Sequence, residues 1–227
     1  MVKFNKLDQL FKYLFGLPKS IYVNARVLPF TQAIKLPIIV SYKTKIISLN
    51  GKVHLKKVKT GIIRIGFGGA EHIDYKYNRT ILKIDGIAYF DGRAKIGVGS
   101  KLLIEKGSVF KVGERLGITG DSMILCSRKI TIGSNARISW QNIIMDTDQH
   151  PVFDTNNNII NHPTEIVIGD NVWIGARCFI LKNSVIGDGC IVAANSTITK
   201  SFDGITHSVI GGSSAKVLKT DVRWHNE

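Results

Sequence analysis

Residues 166–200 read IVIGDNVWIGARCFILKNSVIGDGCIVAANSTITK, and an aliphatic residue returns at every sixth position: Ile168, Ile174, Ile180, Ile186, Val192 and Ile198. A second ladder runs two residues ahead of it, through Ile166, Val172, Cys178, Ser184, Cys190 and Ser196, and most of its members are small. Neither a helix of period 3.6 nor a strand of period 2 needs such spacing. A parallel β-helix does, because each hexad forms one flat side of a coil. With three sides per turn, one residue of each hexad points into a shared narrow interior, and a crowded interior accepts the small ladder. The expected fold is therefore mainly β, a hexapeptide-repeat solenoid in which every coil covers its neighbour and the core is continuous.

Upstream the beat is legible at Phe90, Ile96 and Leu102, slips near 105–109, and resumes at Val112, Ile118, Ile124 and Ile130, with Ile132, Ile138 and Ile144 on the companion ladder. Residues 36–87 are β-rich but irregular; 38–40, 45–49 and 62–65 are expected strands of early coils. Gly133, Gly169-Asp170-Asn171, Gly175, Gly187-Asp188 and Asn195 follow ladder residues. These residue types tolerate the left-handed backbone that sharp corners require.

The 227 residues divide into an N-terminal helix and lead-in (1–35), the β-helix (36–218) and a tail (219–227). In the first part Phe4, Leu7, Leu10, Phe11, Leu14 and Phe15 share one helical face flanked by Lys3, Lys6 and Lys12, and Gly16 and Pro18 supply an expected stop. That face either packs on the body as a cap for the solenoid or rests on a membrane surface as a peripheral contact through residues 4–15. No 7–15-residue apolar stretch opens the chain and no run is long enough to span a bilayer. Cys126, Cys178 and Cys190 lack C-x-x-C spacing and read as buried apolar residues, which suits a cytoplasmic protein, one that could work at the inner face of the membrane. The net charge of +14 calls for an anionic partner. No nucleic-acid-reading motif accompanies it, so nucleic acid is not the expected one.

One segment, about 145–165, breaks the rhythm. It carries Asp146, Asp148, His150, Pro151, Asp154, three consecutive Asn and His162, and intact hexads follow at once. An excursion of this length inside a compact solenoid is usually functional.

These residues resemble the hexapeptide-repeat acyltransferases, in particular the sugar and capsular-polysaccharide O-acetyltransferases related to galactoside and maltose acetyltransferases. The match rests on Asp148-Gln149-His150-Pro151, on the run from Ile168 to Gly175, on Ala193 to Lys200, and on Ile210 to Lys216, about half of the chain. The resemblance implies a left-handed β-helix, a homotrimer, and acetyl-CoA in the cleft between subunits as acyl donor, with no metal. It implies that His150 is the general base, taking the proton of a saccharide hydroxyl and later returning a proton to the CoA thiolate, as a neutral imidazole does near pH 7. Asp148, Asp146 or a backbone carbonyl would hold its far nitrogen. Asp121 and Trp173 match acceptor contacts, Trp173 equally an acyl-donor contact; read alone, Asp121 is an ordinary corner residue and Trp173 a residue packing between subunits. Ala176, Ala194, Thr199 and Lys200 match the pantetheine wall, and Lys216 and Lys219 the contacts to nucleotide phosphates. Gly212-Ser213-Ser214-Ala215 departs from the family's Gly-x-Pro-Ala at the turn before Lys216.

Three other readings share this fold: a sugar N-acetyltransferase, a zinc-dependent carbonic-anhydrase-like β-helix, and a non-catalytic scaffold. The zinc enzyme needs three converging His ligands, and its closely spaced pair is missing because His150 and His162 are twelve residues apart. The acceptor implied by charge is an acidic saccharide, such as a sialic-acid-containing capsular polymer.

Overall fold

A computed structural model describes residues 6–74 and 76–225, without the side chains of 6–10 and 12. Its strands stack in three columns of 9, 7 and 7, parallel throughout except for the last strand of the first, and up to that strand the columns are taken in rotation; the chain is a left-handed parallel β-helix. On the first side Val40, Ile65, Ile96, Ile118, Ile138, Ile174, Val192 and Ile210 stand in register. Ile144, Ile180 and Ile198 stack on the second side, and Ile132, Ile168, Ile186 and Phe202 on the third. The six-residue beat thus lands on the three sides in turn, and its members are fully buried, as are those of the small ladder. The small ladder sits where sides meet: Ser184 Oγ donates to the Leu181 carbonyl at 2.6 Å, and Cys178 Sγ lies 3.1 Å from the Ala193 carbonyl. All three cysteines are free and buried, and burial pushes their thiols up, that of Cys126 to about 12 with the Asp146 carboxylate adding to the effect.

The irregular residues 36–87 are true coils. Ile38–Val40, Lys45–Ser48 and Lys52–Leu55 form the first, and Ile63–Ile65, Ile81–Ile84 and Ile87–Phe90 the second, which carries an insertion over 66–80. At the far end Lys216–Lys219 reverses to pair antiparallel with Val209–Gly211.

The corners meet the expectation at Asn171 and Asn195, which have left-handed backbone, and depart from it at the glycines. Gly133 and Gly175 do not have left-handed backbone; their lack of a side chain answers close approach, since a Cβ on Gly175 would stand 2.7 Å from the Ala194 nitrogen in the next coil. The left-handed residue comes two positions after such a glycine, at Asn135, Asn171, Arg177 and Gly189, and at Asn195 two positions after Ala193. Asn dominates those positions because its short polar side chain tolerates them.

The N-terminal helix departs further. α1 (Lys6–Val27) runs through both Gly16 and Pro18, and the short α2 (Phe30–Ala33) follows. Pro18 is exposed, where water can serve the carbonyl left without a helical donor. Gly16 is buried against the first coil: a Cβ there would meet the Val40 carbonyl oxygen at 2.4 Å. One turn on, Ser20 and Asn24 work as a substitute strand. Asn24 accepts the Ile38 N–H at 3.1 Å and donates to the Ile38 carbonyl at 2.6 Å, and Ser20 Oγ accepts the Val40 N–H at 2.9 Å. The helix therefore caps the open edge of the solenoid, answering the edge-strand problem with buried polar side chains. The expected apolar packing face is inverted, because Phe11, Leu14 and Phe15 are exposed. Phe4 lies outside the described residues, as do the side chains of Leu7 and Leu10.

Candidate active site

The chain leaves the solenoid after Ile143–Met145 and rejoins it at Ile166–Ile168, at the corner between the second and third sides. At the loop's root Asp146 is fully buried, and its carboxylate accepts the backbone N–H groups of Ser127 (2.7 Å), Arg128 (2.9 Å) and Lys129 (2.7 Å). Those donors belong to the coil below. At undisturbed corners the next coil supplies the acceptor, as Ile168 does for the Gly133 N–H. Asp146 therefore replaces the missing corner and is unavailable to orient a histidine.

Beyond it the loop folds back as a short hairpin closed by the Phe153–Ile159 bridge, with Asp154 turning the tip by accepting from Asn156 and Asn158. His150 is exposed at the hairpin's base, and its backbone is fixed: its N–H donates to the Asp148 carbonyl, and its carbonyl accepts from Asn161 Nδ2, both at 2.8 Å. Asp148 does not reach the ring. Its carboxylate pairs with Lys182 on the next coil and accepts from Asn161 at 2.9 Å, and the Lys182 ammonium, with Asn161, holds it below the usual carboxylate range. Among the described residues the imidazole makes no hydrogen bond, and the residue is exposed. Asn161 and Lys182 are site residues the sequence reading missed; a lysine at the next second–third corner, one coil after the excursion, was the available signal. His162 is exposed at the loop's return.

The remaining candidates divide by corner. Thr199 and Lys200 are exposed at the second–third corner two coils after the loop, along the same edge as His150, with Lys200 Nζ 5.4 Å from the Phe202 ring centre. Asp121, Ala176 and Ala194 lie at the first–second corner. There Asp121 is a left-handed corner residue 3.5 Å from Lys101, in a surface ladder that Gln141 and Arg177 continue. Trp173 is exposed on the first side, with its indole N–H on Ser139 Oγ at 3.2 Å. The chain's own tail returns to it: the Val222 N–H donates to the His207 carbonyl, Trp224 Nε1 donates to the Asn171 carbonyl at 2.6 Å, and the two indoles stand 6.2 Å apart. Lys216 and Lys219 are exposed on the antiparallel end strand. One chain thus separates His150 from Asp121, Ala176 and Ala194 by a whole side of the triangle. Among the described residues no three His, Cys, Asp or Glu side chains converge as a metal site.

Residues 165–200 match the family model described as bacterial transferase hexapeptide (six repeats). A chloramphenicol acetyltransferase of Morganella morganii is 34% identical over 31% of this chain and 33% of its own length. A polysialic acid O-acetyltransferase of Escherichia coli O1:K1 is 29% identical over 54% of this chain and 40% of its own. The chain therefore spans well under half the length of these relatives. The solved structure of the polysialic-acid-specific acetyltransferase NeuO superposes with a TM-score of 0.52 at 21% identity, covering 83% of this chain and 75% of that one, which is a likeness of fold. The chain is built as a left-handed parallel β-helix, matches the transferase hexapeptide model over residues 165–200, and is similar in sequence to these acetyltransferases.

Proposed function

We propose that the protein transfers an acetyl group from acetyl-CoA to a hydroxyl of a saccharide, with His150 as general base. The observation that carries this reading is the excursion itself: an exposed histidine on a backbone pinned at both ends, at a corner of transferase hexapeptide coils. As the hydroxyl oxygen bonds to the thioester carbonyl carbon, His150 takes the hydroxyl proton. As the carbon–sulfur bond breaks, the imidazolium returns that proton to the departing thiolate, leaving an acetyl ester and the free thiol. Asp148 is a positioning residue for the loop, through Lys182 and Asn161, rather than a partner of the ring.

Acetyl-CoA would lie along the first–second corner, where Ala176 and the exposed Ala194 carry only small side chains, and the exposed Lys216 and Lys219 ammoniums suit its phosphates. Because His150 sits at a different corner, a complete site takes one corner from each of two copies. That arrangement supports a closed homotrimer, in which three equivalent clefts form. The free thiols suit a reducing cytoplasm, where we place the reaction. A polysialic acid O-acetyltransferase among the relatives makes acidic polysaccharide the first acceptor to try. The test is thiol release from acetyl-CoA across acidic and neutral glycans. A glycan-dependent signal that His150→Ala lowers by about 10²–10⁴-fold, with the assembly intact by sedimentation, is the expected result. Undiminished turnover in that variant would remove His150 from the mechanism.

A further inference from the structure

The net charge is not spread along the chain. Residues 1–70 hold thirteen Lys and Arg against one acid, Asp8, and so carry +12 of the total +14. Residues 71–227, which include every candidate site residue, are nearly balanced. The basic excess therefore belongs to the helical cap and first two coils, where Arg26, Lys35, Lys45, Lys52, Lys56 and Lys59 are exposed, and argues little about the acceptor.

The same end exposes its largest apolar side chains. The buried face of α1 is Gly16, Ser20, Val23, Asn24 and Val27. Opposite it, at helical spacing, stand Phe11, Leu14, Phe15, Pro18, Ile21 and Tyr22. Leu14 is 58% and Phe15 64% exposed, and the turn into α2 adds Phe30 at 80% and Ile34 at 62%. Tyr42 continues the patch, its ring 6.1 Å from that of Phe15. An apolar strip of this size on a soluble surface marks an interaction site. Its setting, with lysine and arginine on the flanking elements and a tyrosine at its edge, is that of a helix lying in a lipid interface. No described helix is long and apolar enough to cross a membrane.

We infer that the α1–α2 face docks the protein on an anionic lipid bilayer surface, the apolar strip entering the interface and the basic first coils facing the headgroups. Two weak signals, one apolar and one electrostatic, combine on a single end of the solenoid, as stable peripheral binding requires. The docked end would hold the long axis of the β-helix away from the membrane, leaving the second–third corner and its loop open to a polymeric or lipid-borne acceptor. This inference is independent of the acetyl-transfer reading.

The test is co-sedimentation of the full chain with vesicles of phosphatidylcholine alone and with about one third phosphatidylglycerol. Binding at least about tenfold stronger to the anionic vesicles, falling steeply with added salt, is expected. The exposed-site double variant Leu14→Glu/Phe30→Glu should lose about tenfold or more of it, with melting temperature and assembly mass unchanged. Equal binding by wild type and variant, no preference for anionic vesicles, or no binding at all would overturn the inference. A fall in assembly mass in the variant would overturn it too, assigning the strip to contact between copies.

Discussion

Two corners of the same coil are closed in opposite ways. At the third–first corner the next coil does the work: Ile168 accepts the Gly133 N–H at 2.7 Å, and Asp170 accepts the Ser134 N–H at 2.6 Å. At the second–third corner the next coil is displaced by the excursion, and the three N–H groups of 127–129 converge on the single carboxylate of Asp146. A solenoid can thus release some twenty residues without fraying, provided one buried acceptor replaces the lost corner. The regular corners keep the coils rigid, and the exceptional one releases a loop that carries His150.

That contrast can be broken at several points. The largest effect is expected on catalysis: His150→Gln should reduce acetyl transfer by about 10²–10⁴-fold while leaving thermal unfolding within the range of a surface substitution. Next is the root of the loop. Asp146→Ala leaves three partly buried N–H groups without an acceptor and should cost about 3–5 kcal/mol by chemical denaturation, together with the activity. In the regular coils, Ile180→Val should cost about 0.5–1.5 kcal/mol and leave turnover per folded molecule unchanged, because the loop does not depend on one methyl group in the stack. A smaller effect falls on Lys182→Met, which frees Asp148: a few-fold loss of turnover, with stability nearly constant, since exposed ion pairs contribute about 1 kcal/mol or less.

The pH dependence separates the two residues further. Because the folded Asp148 carboxyl is held below its ordinary value of about 3.9, its stabilising contribution is present above that value and fades only as pH falls through the lower folded one. The Lys182 pair is therefore intact throughout pH 5–8. Any acid limb of activity in that window should keep its midpoint in Asp148→Asn, and a displaced midpoint would show that Asp148 communicates with the imidazole after all.

Much of this was legible in the residues. Ile168 to Ile198 foretold which side chains fill the interior, since a six-residue beat on a three-sided coil admits one arrangement, and the silence between Ile144 and Ile166 marked the loop. Elsewhere the pattern misled for physical reasons. Gly16 and Pro18 read as a helix stop because their propensities are local, whereas Gly16 answers a backbone passing 24 residues later in sequence. The apolar stripe from Phe4 to Phe15 left packing on the body and contact with a membrane both open, because periodicity shows a face and not its destination. The face that packs instead carries Ser20 and Asn24, polar because it meets the open edge of a strand rather than an apolar surface. Asp148 looked like an orienting carboxylate from its nearness to His150, but its partner Lys182 comes from the next coil, a contact no short-range pattern contains.

The central claim is that the active site takes His150 from one copy and the small-residue corner from another. Two variants test it most directly, His150→Ala and Ala194→Trp, each inactive alone and each with one intact corner. Co-assembled in equal amounts, they should recover about a quarter of wild-type turnover, because in a closed trimer each cleft independently draws one corner from each of two neighbours. No recovery from mixed assemblies verified by mass would place both halves of the site within a single chain and contradict the account.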